Sequence, residues 1–151
     1  MVRKILNDKQ WLLHLQPVLQ QATPNIDLLN EAIKKGDMES ETFAARDVLM
    51  AKCDFSVLHK QTMGIGEPES KEAKKARKEL LTAFKAYSIA MFLAHNMLLY
   101  ITRLANKKDG EAISDKEQKN LAGARSSYQK NVKDAQLHWY FFQQYMQTVN
   151  H

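Results

Sequence analysis

The chain has 151 residues, of which 44% are hydrophobic and 26% are charged, and its formal net charge is +5. This length and this balance predict one soluble globular domain and exclude a disordered chain. Five glycines, three prolines and one cysteine exclude a loop-rich architecture, a disulfide framework and any multi-cysteine metal site, and they argue against an all-β fold.

The first predicted helix spans residues 7–35, and two lysines followed by Gly36 end it. Cations in the last turn and a glycine just after it are typical of a helix C terminus. Pro17 and Pro24 lie inside the helical pattern, and each proline removes one backbone hydrogen bond. Because the apolar residues keep their spacing of three and four across both prolines, we predict a kinked helix, with Thr23 as a candidate N-cap of its second half.

The second predicted helix spans residues 38–63 and carries its apolar residues at helical spacing. Cys53 shares one side of this helix with Met50 and Val57, so we expect a small buried thiol rather than a nucleophile. The segment that follows, residues 64–68, contains two glycines and one proline. It lacks the third glycine and the preceding strand of a dinucleotide-binding motif, and we predict that it is a loop.

The third predicted helix spans residues 70–108, with Ser70 as a candidate N-cap, and has two apolar stripes instead of one. One stripe continues the bundle core, whereas the other needs a further partner, either the fourth helix or a second chain. Met97 and Tyr100 on this second stripe are therefore candidate partner-binding residues. A membrane span is not expected, because the apolar run 86–101 is shorter than the ~20 residues required and contains a polar histidine–asparagine pair.

The fourth predicted helix spans residues 114–149 and begins with a capping box, in which Ser114 and Glu117 satisfy backbone N–H groups. The connections between the four segments are short, which predicts an antiparallel up-down bundle. Helices three and four are longer than the first two. The hairpin from Arg103 to Asn120 has the least apolar content, so we predict that it projects into solvent.

The end of the fourth helix holds the densest aromatic cluster in the chain. Trp139 and Phe142 continue the core stripe, whereas Tyr140 falls on the polar face among glutamines. Aromatic residues on three sides of one helix end favour contact with a partner, and burial beneath the N-terminal residues is the alternative. The candidate partner-binding residues at this end are Tyr140, Phe141 and Tyr145.

Each predicted helix carries one histidine, and these are His14, His59, His95 and His138. At a rise of about 1.5 Å per residue, His95 lies far along the bundle from the other three. None of them has a glutamate three residues earlier, which the carboxylate-bridged di-metal sites of helical bundles require. We therefore expect no metal and no cofactor. Asp134 and His138, four residues apart, are predicted to form a surface hydrogen bond.

The charges are distributed unevenly along the chain. Residues 37–70 carry 3 basic and 7 acidic groups, whereas residues 71–110 carry 9 basic and 3 acidic groups. The basic start of the third helix could contact nucleic-acid phosphates, but it has no adjacent aromatic platform and no groove-reading motif. A solvated face beside the acidic second helix is the simpler interpretation. The nucleic-acid alternative depends on Lys71, Lys74, Lys75, Arg77 and Lys78.

The sequence thus predicts an all-α fold, in which residues 1–151 form one antiparallel up-down four-helix bundle with a kinked first helix and two longer C-terminal helices. Catalytic signatures are lacking and apolar helix surface is in excess. The predicted function is therefore non-enzymatic protein–protein interaction, as a self-associating adaptor, regulator, inhibitor or assembly subunit. The alternatives are a metal- or small-ligand-binding bundle enzyme and a nucleic-acid-binding protein. The lone cysteine and the absence of a signal-peptide pattern predict a cytoplasmic location.

Overall fold

A computed structural model describes residues 5–36, 45–105 and 114–149, and in these ranges the chain is an antiparallel up-down four-helix bundle, as predicted. The helices are α1 (Asp8–Lys35), α2 (Ala45–Ile65), α3 (Lys71–Ala105) and α4 (Asp115–Val149). The last two have 35 residues each and are longer than α1 and α2, which have 28 and 21. Residues 38–44, with which the second helix was predicted to begin, lie outside the described ranges.

Three of the helices begin at a side chain that caps the free backbone N–H groups of the first turn. Asn7 caps α1, Ser70 caps α3 and Ser114 caps α4, and each side-chain oxygen accepts from the backbone N–H three residues later at 2.8–3.1 Å. The last two were predicted from the sequence. At the other end of α1, Gly36 has a φ of +77°, a left-handed conformation that glycine adopts without steric cost.

Helix α1 runs without interruption through both of its prolines, so it does not restart at Thr23. Pro17 and Pro24 are both exposed on the outer side of the helix. Each proline leaves the carbonyl four residues earlier without its helical partner, and these carbonyls belong to Leu13 and Gln20. Both residues are exposed, so water can bond to the two carbonyls and the helix continues.

Helix α3 is the central element of the bundle and packs most extensively against α4 and then against α2. Both of its apolar stripes are buried over most of their length. Glu79, which contacts α4, lies on the same face as Ala83, Ala86 and Ala90, so α4 covers the second stripe. Met97, further along this stripe, is fully buried. The chain's own helices therefore provide the partner that the second stripe needs.

Two short strands close one end of the bundle. β1 (Ile5–Leu6) pairs in parallel with β2 (Glu67–Pro68), and the backbone N–H of Ser70 donates to Asp8 Oδ1 at 2.9 Å. Burial acts to raise the pKa of Asp8, but hydrogen bonds from Ser70 and Glu69 outweigh it and leave the pKa below its ordinary value. The sequence predicted only a loop at residues 64–68, because a two-residue parallel pairing has no local signal.

The opposite end of the bundle projects into solvent as predicted, so far as residues 99–105 and 114–120 are described. No residue of α3 after Leu98 is buried. Of the described helices, α3 alone has the length and mean hydropathy to cross a membrane, with a value of 1.2 over its most apolar 18 residues. This is weak evidence, because core helices meet the same criterion. Of those 18 residues, 28% are buried.

The prediction that Cys53 is a buried thiol is wrong. Cys53 is exposed, and Met50 and Val57 on the same side of α2 are exposed as well. The buried face of α2 includes Val48, Phe55, Leu58 and Thr62. Cys53 precedes Phe55 by two residues, or about 200° around the helix, and therefore lies on the outer side.

Candidate interaction surface

Three large hydrophobic residues are exposed together on the outer face of α4. They are Leu137, Tyr140 and Phe141, with exposed fractions of 47%, 54% and 37%. The spacing of three and four residues places them on one side of the helix as neighbours. The rings of Tyr140 and Phe141 are 6.0 Å apart between centroids. We call these three residues the α4 outer patch. Tyr140 and Phe141 were predicted as partner-binding residues, whereas Leu137 was not.

The opposite face of the same helix segment is anchored in the core. Trp139 and Phe142 are buried, and their rings stack with centroids 5.3 Å apart. Because these two side chains face inward, the side chains at positions 137, 140 and 141 must face outward. The α4 outer patch therefore cannot turn into the core without removing Trp139 from it.

A hydrogen bond between α3 and α4 lies next to the patch. His138 Nδ1 and Glu79 Oε2 are 2.5 Å apart, and the imidazole contacts the Phe141 ring edge-on at 6.2 Å. The sequence predicted that His138 would pair with Asp134 instead. That prediction is wrong, because His138 is half-buried on the side of α4 that faces α3 and pairs there with Glu79, whereas Asp134 is exposed to solvent. This pair holds α4 against α3 beside the patch.

On the side of α4 away from His138, Asn30 connects α1 to both α3 and α4. Its Oδ1 accepts a hydrogen bond from the Tyr87 hydroxyl at 3.1 Å and another from Gln136 Nε2 at 3.2 Å. Burial raises the pKa of Tyr87 to about 12, with the bond to Asn30 opposing the shift and the charge of Asp27 adding to it. The phenol therefore remains a donor, and α4 is fixed in rotation from this side as well.

Of the basic residues at the start of α3, the four lysines are exposed to solvent, whereas Arg77 is bonded within the protein. Lys71, Lys74 and Lys78 are exposed, and the exposed Lys75 places its Nζ 6.0 Å from the centroid of the Tyr145 ring. This cation–π contact accounts for Tyr145, which is half-buried and does not belong to the α4 outer patch.

Arg77 differs from these lysines because it is engaged within the chain. Its Nε donates to the carbonyl of Gly66 at 2.9 Å, and its guanidinium is 3.9 Å from Glu67. The side chain thus ties α3 to the segment that follows α2. Of the five residues behind the nucleic-acid alternative, Arg77 therefore has a structural role, whereas the four lysines remain accessible.

The two remaining predicted partner-binding residues lie elsewhere. Met97 is fully buried and contributes to the core, so it offers no surface to a partner. Tyr100 is half-buried and lines a shallow depression with Asn96, Leu99 and Arg103. Since Glu79 is level with the patch, Tyr100 is 21 residues, or roughly 30 Å, further along α3. The five residues predicted to bind a partner therefore do not form one site.

The histidines are dispersed in the structure. His14 is exposed in an open cleft between α1 and α2, and His59 and His95 are half-buried. Within residues 5–36, 45–105 and 114–149, no three histidine, cysteine, aspartate or glutamate side chains come close enough together to hold a metal ion.

The pKa of His59 is lowered, first by burial and then by the positive charges of Lys85 and Arg77. The folded chain therefore favours the neutral imidazole, whereas the unfolded chain takes up a proton near its ordinary pKa of 6.5. The stabilisation that the neutral His59 imidazole contributes is therefore fully present above pH 6.5 and is lost as the pH falls below this value. We expect wild type to lose more stability than His59→Gln between pH 7.5 and 5.5 in urea unfolding. Equal losses in the two proteins would contradict this.

Comparisons of the chain with models of protein families, with curated proteins and with solved structures gave no match. The residues of the chain itself are therefore the basis for a functional proposal.

Proposed function

We propose that this protein is a non-enzymatic helical bundle that works through protein–protein contact and that it self-associates through the α4 outer patch. The observation that carries the proposal is the contiguous exposure of Leu137, Tyr140 and Phe141 above a well-anchored helix segment. Large aromatic side chains on a rigid surface are the residue types that dominate binding energy at interfaces.

The charges around the patch support contact between two identical copies. A twofold axis near residue 139 would place two α4 helices antiparallel, with the same patch on each. Lys133 of one copy would then lie opposite Gln144 and Gln147 of the other, rather than opposite another lysine. All three side chains are exposed, so this pairing brings no like charges together.

A cytoplasmic location forms part of the proposal. The exposed Cys53 thiol is compatible with a reducing compartment, in which an accessible cysteine remains unpaired.

The test is sedimentation velocity on wild type and on Tyr140→Ala over a concentration series. We expect wild type to form a dimer and the variant to dissociate roughly 30-fold more readily, the equivalent of about 2 kcal/mol for a buried aromatic anchor. Leu137→Ala should act in the same direction. Leu13→Ala is the matched control, because Leu13 is an exposed leucine on α1 and its removal should leave the association unchanged.

Two outcomes would contradict the proposal. A wild type that remains monomeric at every concentration would exclude self-association. A dimer that Tyr140→Ala and Leu137→Ala leave unaffected would show that copies associate through some other surface.

A further inference from the structure

An apolar cleft of about 370 Å³ lies between α1 and α2. These two helices contact each other far less extensively than α2 contacts α3, so their seam is the loosest of the sequential helix pairs that the structure describes. The cleft is lined from α1, from α2 and, at its floor, from α3, by Asn25, Leu28, Leu29, Ala32, Val48, Ala51, Asp54, Phe55, Leu58 and Met91.

The lining has the character of a small-molecule site. Eight of these ten residues are apolar, and the volume falls in the range of about 300–1,000 Å³ that is typical of such pockets. Among the lining residues, only Asn25 and Asp54 have polar side chains that can bind water in the cleft. Replacing such weakly held water with an apolar group is favourable.

The exposed Asp54 gives the rim of the cleft a negative charge. Among the side chains that the structure describes, no lysine, arginine or histidine forms an ion pair with this carboxylate. Lys52, two residues earlier, is directed elsewhere, since its Nζ is 5.6 Å from the centroid of the Phe92 ring. Lys35 of α1 pairs with Glu31 at 3.9 Å. A cationic group of a ligand would therefore meet an available acceptor at Asp54.

We propose that this cleft binds a small molecule with an aliphatic or aromatic body and a protonated amine at one end. The body lies against Leu28, Leu29 and Ala51, above the fully buried Met91 at the floor of the cleft, and the ammonium donates to the Asp54 carboxylate. The lining includes no residue of α4, so this proposal does not depend on the α4 outer patch.

The test uses the full chain with ¹³C-labelled methionine methyl groups and three probes of equal length: octylamine, octanol and octanoate. The Met91 resonance, identified with Met91→Leu, should shift saturably with octylamine. Met97 on the same helix is also fully buried but does not line the cleft, and its resonance should stay in place. We expect octylamine to bind roughly tenfold more tightly than octanol, and octanoate to bind more weakly than both.

Two variants separate the apolar and the charged contributions. Ala51→Leu fills the cleft and should weaken octylamine binding at least roughly tenfold, whereas Ala122→Leu, at an exposed alanine of α4, should not change it. Asp54→Asn lies at an exposed position and should remove the preference for octylamine over octanol while octanol binding persists.

The proposal is overturned if no probe shifts Met91 saturably, or if Ala51→Leu leaves octylamine binding unchanged. It is also overturned if octanoate binds as tightly as octylamine, or if the preference for the amine persists in Asp54→Asn. Because Asp54→Asn does not enlarge or fill the core, it keeps the test decisive even if Ala51→Leu fails to fold.

Discussion

Replacing Trp139 with alanine is expected to lower the free energy of unfolding by about 3–5 kcal/mol. Trp139 is 6% exposed, and its ring stacks on Phe142 in the seam that α4 forms with the core. The substitution removes the largest side chain of this helix end and leaves a cavity. Since α4 is also held by the bonds of His138 to Glu79 and of Gln136 to Asn30, the helix cannot easily shift to fill that cavity.

The measurement is urea unfolding followed by circular dichroism, with Tyr140→Ala as the matched control. Tyr140 is the adjacent residue and also an aromatic, but it is 54% exposed. When the variant is measured as a monomer, its unfolding free energy should change by no more than about 0.5 kcal/mol. Equal losses in the two variants would mean that the orientation of α4 described above is wrong.

Replacing Leu98 with alanine is expected to cost about 2–3 kcal/mol, the lower part of the range measured for buried leucines. Leu98 is 2% exposed and is the last buried residue of α3. The cost should fall in the lower part of the range because no residue of α3 after Leu98 is buried, so the packing around Leu98 is open on one side. Neighbouring side chains can therefore collapse partly into the space that the substitution leaves.

Leu99→Ala is the control for this substitution, because Leu99 is the next residue and is 51% exposed. Its loss should change the unfolding free energy by no more than about 0.5 kcal/mol. The pair of variants thus locates the boundary between the core and the projecting end. If Leu99→Ala lowered the unfolding free energy more than Leu98→Ala, Leu99 would have to be packed against a surface although 51% of it is exposed.

The candidate site was predictable in part. Tyr140 stands among glutamines on the face opposite the core stripe, so its exposure follows from helical periodicity alone. Leu137 was missed although the same reasoning applies, since it precedes Tyr140 by three residues and Phe141 by four. The contact between His138 and Glu79 could not be predicted, because the two residues are 59 positions apart in the chain and no local pattern relates them.

Periodicity, capping residues and short connections by themselves determined the four helices, their antiparallel order and the ends set by Gly36, Ser70 and Ser114. These features depend on interactions between residues that are close in the sequence, and such interactions can be inferred from the sequence itself. Tertiary structure alone decided that Met97 is buried and that Cys53 is exposed. A helix with apolar residues on several sides does not specify which side faces a neighbour. That choice depends on how closely whole helices pack, and here α3 packs closely against α2 and α4 while α1 and α2 remain apart and leave a cleft.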